Sequence, residues 1–323
     1  MGVWRIRLLL AVAGIALLAA AGLVYESGSE ARDAVRFPPP GTLVDIGGRH
    51  LHLLCKGSGE PAVVMVAGGG TPAVVSYVLQ NRIARFARVC SYDRAGLGWS
   101  DAASRVLSFD DQVDDLDRVL RAGHVPGPYV FVPESFGSLI VLDFAARHPD
   151  RTAGIVFVDG VDPQLWFPAM VEQSGVSADA KNALTGAAWH LGLVRLGFAK
   201  LAPDWVWRLP PEIRGEMIAL YSRPSPGYAE ALEAYRITPV SRRPFLPPGA
   251  LGDRPIAVLY HGKVSDALSD QFERGWLASQ QRLTHLSRRG QAMMVPNADH
   301  ELAQEEPDRA ANAVRIVLNE LHR

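Results

Sequence analysis

Residues 129–138 of the chain read Tyr-Val-Phe-Val-Pro-Glu-Ser-Phe-Gly-Ser. The apolar run predicts a buried strand, and the helical pattern after it continues to His148, so Ser135 falls at a sharp strand-to-helix turn. Such a turn exposes a serine hydroxyl above the sheet and directs the positive end of the helix dipole toward it. The turn needs small residues two positions either side of the serine. Gly137 meets this requirement, whereas Pro133 stands where glycine is usual. The stretch therefore predicts that Ser135 is a nucleophile.

Short apolar runs of strand length recur on both sides of this stretch. They cover residues 43–46, 50–55, 62–67, 89–92, 154–158, 255–260 and 292–295. The first two flank a Gly-Gly pair and predict a hairpin. The later runs are separated by helical periodicity, as in residues 112–122. Continuous apolar strands that alternate with helices indicate a mostly parallel sheet covered on both faces.

The N-terminal segment differs in kind from the rest of the chain. Residues 8–24 are apolar and uncharged, with arginines before them and glutamates after them. This pattern predicts that residues 1–26 are a signal anchor or a cleaved signal peptide, with residues 27–42 as an extended linker. The remaining domain is then extracytoplasmic and membrane-anchored, or secreted if the segment is cleaved.

A second segment interrupts the series of predicted strands. Residues 163–250 contain no strand-like run and are helical in pattern and rich in Trp and Tyr. We predict that they form a helical lid, inserted into a core made of residues 43–162 and 251–323.

Charge and composition exclude several classes of partner. The 323 residues carry a formal net charge of -1, so the chain offers no basic field for nucleic acid. We expect a small-molecule substrate, a membrane contact through the N-terminal segment, and neither a metal nor another cofactor.

A glycine-rich turn follows the strand at residues 62–67. Gly68, Gly69 and Gly70 can present backbone N–H groups there. We predict that the N–H groups of Gly69 and Phe136 form an oxyanion hole.

Residues 90–101 read Cys-Ser-Tyr-Asp-Arg-Ala-Gly-Leu-Gly-Trp-Ser-Asp, and His300 ends Ala298-Asp299-His300 on a loop after the last predicted strand. With the turn at Ser135, these motifs resemble the α/β-hydrolase superfamily, over nearly all of the chain outside the membrane segment and the lid. The resemblance implies an eight-stranded sheet of order 1-2-4-3-5-6-7-8 with a helical cap. It also implies that His300 is the general base, because serine precedes histidine along the chain.

The implied sheet order places the strand of Cys55 beside the strand of Cys90, which makes the two cysteines candidates for a disulfide. Asp93 and Arg94 are usually structural in this superfamily and are not predicted to be catalytic.

The catalytic acid is open between two residues. Asp159 ends the sixth strand, where some lineages place it, and is favoured. Asp266 follows the seventh strand, the commoner place, but with one residue more than the usual spacing.

The constellation predicts two-step acyl transfer through an acyl-enzyme, most simply by a carboxylic ester hydrolase that acts on a small or hydrophobic acyl substrate. A serine at the elbow argues against dehalogenase and epoxide hydrolase chemistry, which begins from an aspartate there in this superfamily. Two alternatives stay open at this point. One is an aminopeptidase of the proline iminopeptidase type, and the other is a binding protein that has kept the fold but lost turnover.

Overall fold

The computed structural model describes residues 3–105, 107–166, 184, 186–201, 204–223, 246–263 and 270–321. Within them lies an eight-stranded sheet of order β1-β2-β4-β3-β5-β6-β7-β8, which confirms the predicted order. The strands are β1 Thr42–Asp45, β2 His50–Lys56, β3 Val63–Val66, β4 Val89–Tyr92, β5 Tyr129–Pro133, β6 Thr152–Val158, β7 Ile256–His261 and β8 Gly290–Val295. The pairs β1–β2 and β2–β4 are antiparallel, and every other pair is parallel.

Helices cover both faces of the sheet, as its continuous apolar strands require. Around the sheet lie α2 (Tyr77–Ile83), α3 (Phe109–Ala122), α4 (Gly137–Arg147), α8 (Asp270–Thr284), α9 (Leu302–Glu305) and α10 (Pro307–Leu321). One core cluster joins the sheet to α3, α4 and α8, and the other joins it to α2 and α10. Strands β3, β4 and β5 are buried along their whole length.

The helix predicted over residues 112–122 begins three residues earlier, at Phe109. A reciprocal capping box explains the earlier start. The Ser108 hydroxyl accepts the Asp111 N–H at 3.2 Å, and the Ser108 N–H donates to the Asp111 carboxylate at 2.7 Å.

The chain divides into two compact units. One contains Met1–Pro38 with Gly175–Ser225, and the other contains Pro39–Ser174 with Pro226–Arg323. The first unit holds α1 (Val3–Arg36), α5 (Leu193–Leu201), α6 (Asp204–Arg208) and α7 (Pro211–Ser222). Most described residues of the predicted lid therefore lie in helices. Residues 175–225 group with the N-terminal helix in this division, and the bounds 163–250 of the lid stay a prediction.

The extended linker predicted over residues 27–42 is replaced by helix as far as Arg36, which corrects the sequence interpretation. Residues 26–36 are rich in Glu, Ala and Arg, which favour helix. Partly buried ion pairs add to this preference, because Arg195 binds Glu26 at 2.7 Å and Asp33 at 2.6 Å. The helix ends before residues 38–40, three prolines that cannot continue its hydrogen bonds.

Among the described residues, α1 is the one helix long and apolar enough to cross a membrane. Its most apolar 18-residue window has a mean hydropathy of 2.5, and no residue of that window is buried. A signal sequence has the same properties, so anchor and signal peptide both stay open as predictions.

Cys55 and Cys90 lie opposite each other in the antiparallel pair of β2 and β4. They are joined by a disulfide with an S–S distance of 2.03 Å, and their Cα atoms lie 4.0 Å apart. The sulfur of Cys90 is fully buried, whereas Cys55 is exposed at the sheet surface.

We expect the double variant Cys55→Ser/Cys90→Ser to lose about 4 kcal/mol of unfolding free energy, because the bridge closes a loop with a sequence separation of 35 and restricts the unfolded chain. Urea unfolding with and without reductant measures this loss. The double variant is its own control, since reductant should leave its midpoint unchanged. A wild type whose midpoint does not fall in reductant would contradict the prediction.

Candidate active site

The turn after β5 has the geometry that exposes a side chain above a sheet. Ser135 has a φ of +46°, in the left-handed region, between the end of β5 and the start of α4. Gly137 is required because a Cβ there would collide with the Val66 carbonyl oxygen where α4 passes β3. Pro133 ends β5 in register with Val66, and the next ladder bond is donated by the Glu134 N–H at 2.9 Å. The β3 side of the ladder therefore needs no N–H at position 133, while on the β6 side the register ends at Phe131 and resumes at the Glu134–Val158 bridge.

Three predicted residues meet at this turn. His300 Nε2 lies 3.1 Å from Ser135 Oγ, and His300 Nδ1 lies 2.6 Å from Asp159 Oδ2. His300 stands on the loop between β8 and α9, whereas Asp159 directly follows β6 with a φ of +48°. The alternative acid, Asp266, lies outside the described residues.

The hydrogen bonds of His300 define the tautomer that a general base needs. A carboxylate can only accept, so Nδ1 carries the hydrogen and Nε2 presents its lone pair to the serine hydroxyl. Desolvation by the surrounding protein lowers the pKa of His300, but the hydrogen bond and charge of Asp159 outweigh it, and the pKa lies above its usual value. The ring still reaches solvent, with 43% of the side chain exposed.

Asp159 is only 1% exposed and receives more than one hydrogen bond. Besides His300, it accepts His261 Nδ1 at 2.6 Å on Oδ2, and the His261 N–H at 3.1 Å and Trp276 Nε1 at 3.2 Å on Oδ1. Burial alone would raise the pKa of this carboxyl, but the bonds from His261 and His300 hold it below its usual value. Asp159 is therefore a buried carboxylate that stays charged.

His261, at the end of β7, lies beside the triad together with two neighbours on α8 that sequence reasoning missed. Trp276 contacts the His300 ring edge-on, with centroids 5.0 Å apart, and Glu273 Oε2 lies 3.4 Å from His261 Nε2. The two residues are three positions apart and share one helix face. The sequence signal for Glu273 and Trp276 was their three-residue spacing, which occurs in any amphipathic helix and does not identify a site.

The glycine-rich turn lies beside the elbow. A Cβ on Gly69 would lie 3.5 Å from the Phe136 Cβ. Arg94 fixes this turn by donating to the carbonyls of Ala67 at 2.6 Å and Gly68 at 2.5 Å. Because a trans peptide points its C=O and N–H in opposite directions, the bond to Gly68 turns the Gly69 N–H away from Arg94. Among the hydrogen bonds of the described residues, neither the Gly69 nor the Phe136 N–H donates one.

Asp93 ties the surrounding loops together, in agreement with the structural role expected of it. Its carboxylate accepts His52 Nδ1 at 2.8 Å, the Ala73 N–H at 2.6 Å and the Trp99 N–H at 3.2 Å. It is fully buried and is not among the groups that contact Ser135.

A second carboxyl precedes the serine directly. Glu134 is buried and accepts the Ser76 hydroxyl at 2.6 Å. Burial raises its pKa to about 7, against the opposing effect of the Ser76 bond and the charge of His300. This group contributes a proton equilibrium near neutrality without contacting the serine hydroxyl.

The side chains of Asp159, His261 and His300 bring ligand-type atoms within 4.8 Å of one another. Both Nδ1 atoms, however, lie 2.6 Å from the same carboxylate oxygen. Two ligands of one zinc ion stay roughly 3 Å or more apart. Among the described residues, this cluster therefore has the geometry of a hydrogen-bonded group rather than of a metal cage.

Comparison with known proteins identifies the fold that carries this site. A family model described as the α/β hydrolase fold matches residues 61–210, which include Ser135 and Asp159. YbdG of Bacillus subtilis (strain 168) is 25% identical over 202 residues, 62% of this chain and 59% of YbdG. YraK, named an uncharacterized hydrolase of the same organism, is 34% identical over 113 residues, 34% of this chain and 41% of YraK. The alignments thus span less than two thirds of either relative.

Among solved structures, a thermophilic esterase from Thermogutta terrifontis is similar, with a TM-score of 0.60 and 22% identity over 85% of this chain and 95% of the esterase. At this identity the likeness shows the fold alone. The sheet order and the family model matched over residues 61–210 together show that the chain has the α/β-hydrolase fold.

Proposed function

We propose that this protein is a serine hydrolase that cleaves carboxylic esters through an acyl-enzyme on Ser135. The observation that carries the proposal is the unbroken hydrogen-bond chain from the Ser135 hydroxyl through both nitrogens of His300 to the buried carboxylate of Asp159. This is the arrangement that activates a serine for acyl transfer.

In the first step His300 Nε2 takes the hydroxyl proton while Ser135 Oγ forms a bond to the ester carbonyl carbon. The carbonyl π electrons move onto oxygen, and the Gly69 and Phe136 N–H groups donate to that oxyanion. Asp159 stabilises the imidazolium. The tetrahedral species collapses as His300 returns its proton to the departing alcohol. In the second step water repeats the sequence, with His300 as base, and releases the acid and free Ser135.

An apolar acyl group is favoured by the aromatic surface beside the oxyanion site. The Phe136 ring lies 5.6 Å from the Trp166 ring, at the start of the predicted lid. A serine at the elbow, in place of an aspartate, separates this site from those that open epoxides or displace halide.

We further propose that α1 places the domain in an oxidising, extracytoplasmic compartment. The exposed apolar window of α1 suits a lipid environment, and the disulfide between Cys55 and Cys90 suits export. Both an anchored and a cleaved, secreted form agree with this placement.

The proposal is tested with the full-length chain in mild detergent, treated with a fluorophosphonate and then digested for mass spectrometry. We expect one adduct, on the peptide that carries Ser135. A series of p-nitrophenyl esters of rising acyl length should be hydrolysed. The acyl length that is cleaved fastest then reports the size of the acyl pocket. A folded protein that takes no label would count against the enzyme and favour a binding protein. Faster cleavage of a proline p-nitroanilide would favour the aminopeptidase.

A further inference from the structure

His261 lies between two carboxylates behind the catalytic chain. It ends β7, is 7% exposed, and places Nδ1 2.6 Å from Asp159 Oδ2 and Nε2 3.4 Å from Glu273 Oε2. A neutral imidazole has one N–H and one lone pair, so it can donate to only one of two carboxylates. An imidazole with a carboxylate at each nitrogen is therefore stabilised as the doubly protonated cation.

His300 shares the same acceptor but has a different second partner. Its Nδ1 also lies 2.6 Å from Asp159 Oδ2, while its Nε2 faces a hydroxyl, which can donate as well as accept. The two rings lie 6.4 Å apart between centroids and are nearly perpendicular. Asp159 Oδ2 thus accepts a hydrogen bond from both imidazoles. His261 lies between two carboxylates, whereas His300 must exchange a proton with Ser135.

We propose that His261 is a positioning residue that carries a positive charge behind Asp159 and so opposes protonation of His300. The inference rests on the proposed function of Ser135 and His300. Without a cation at 261, the full charge of Asp159 would act on His300 and favour its protonated form, which cannot accept the serine proton. The bonds from His261 and Trp276 also fix the direction of the Asp159 carboxylate.

The remaining charged groups act on these two rings from several elements. Glu134 approaches His300 from the elbow, and Glu301 approaches it from the residue after it. Asp299 and Glu305 act on Glu301, and Asp299 also pairs with Lys263 at 3.1 Å. Glu301 raises the pKa of His300, whereas the charge of His261 lowers it. Burial lowers the pKa of His261, but Asp159 and Glu273 more than reverse this, and it lies above its usual value. His261 therefore opposes the carboxylates that favour protonation of His300.

The test is His261→Asn, because the asparagine amide can donate to Asp159 from the place of Nδ1 but carries no charge. In the full-length chain in detergent, we expect the acid limb of the kcat/KM profile to move up by about one pH unit, as for loss of a nearby charge. On the acid limb this is roughly a 10-fold loss, with KM unchanged and activity recovered at higher pH. The matched control is His148→Asn at the end of α4, which should leave the profile in place.

Two results would overturn the inference. One is an acid limb that stays where it is in His261→Asn, and the other is a uniform loss of activity at every pH, since either would mean that His261 only packs. NMR titration of 13C-labelled histidine gives the His300 midpoint without turnover, and it should rise in the variant. A wild type that is neither labelled nor active would count against the proposed function, while this titration would still decide the role of His261.

Discussion

Ser135→Ala is expected to abolish fluorophosphonate labelling and to lower kcat for p-nitrophenyl esters on the order of 10⁵- to 10⁶-fold. The change removes the atom that forms the acyl bond and leaves the rest of the site in place. Ser135 has a φ of +46°, and alanine at this angle is strained much as serine is. Kinetics and intact-mass analysis of the full-length variant measure both effects.

Ser138 supplies the matched control, because it lies in the first turn of α4 and is fully buried. Its hydroxyl has no hydrogen-bond partner within the described structure, so Ser138→Ala removes an unsatisfied polar group and no contact to the triad. Labelling and kcat should stay within a few-fold of wild type. Retention of label by Ser135→Ala, or its loss in Ser138→Ala, would contradict the assignment of the nucleophile.

The parts of the site that could be predicted from sequence are those whose signal is local. Ser135 sits between an apolar strand and a helix that needs Gly137, and both requirements are visible within ten residues. His300 was located by its place after the last strand. The pairing of Cys55 with Cys90 needed one further step, the sheet order, which placed their strands side by side.

The parts that could not be predicted depend on how distant segments meet. The choice between Asp159 and Asp266 requires knowing which loop end reaches His300, and both positions agree with the superfamily. Glu273 and Trp276 become relevant only because α8 packs against β7 and turns one face toward Asp159. The helix in residues 27–36 was misread because its stability comes partly from ion pairs with Arg195, far away in sequence.

Asp159→Asn is expected to lower kcat by about 10⁴-fold, as loss of a triad carboxylate does. We expect this loss because the hydrogen bond between residue 159 and His300 can reverse its direction. The amide nitrogen of asparagine is a donor, and the two imidazoles now compete for a single amide oxygen. Where the amide N–H faces His300 Nδ1, that nitrogen must accept, so the ring hydrogen moves to Nε2 and faces Ser135 Oγ as a donor. His300 can then no longer take the serine proton.

Asp266→Asn is the matched control, since it makes the same change at the other carboxylate that sequence allowed. We expect its kcat to stay within a few-fold of wild type, and circular dichroism should show both variants folded. The opposite ranking, with Asp266→Asn inactive and Asp159→Asn active, would transfer the role of the acid to Asp266. The geometry argues against that ranking because Asp159 is 1% exposed and lies against two imidazoles and an indole N–H. A carboxylate held this way stays ionised, and an ionised carboxylate at Nδ1 is what keeps the lone pair of His300 directed at the serine.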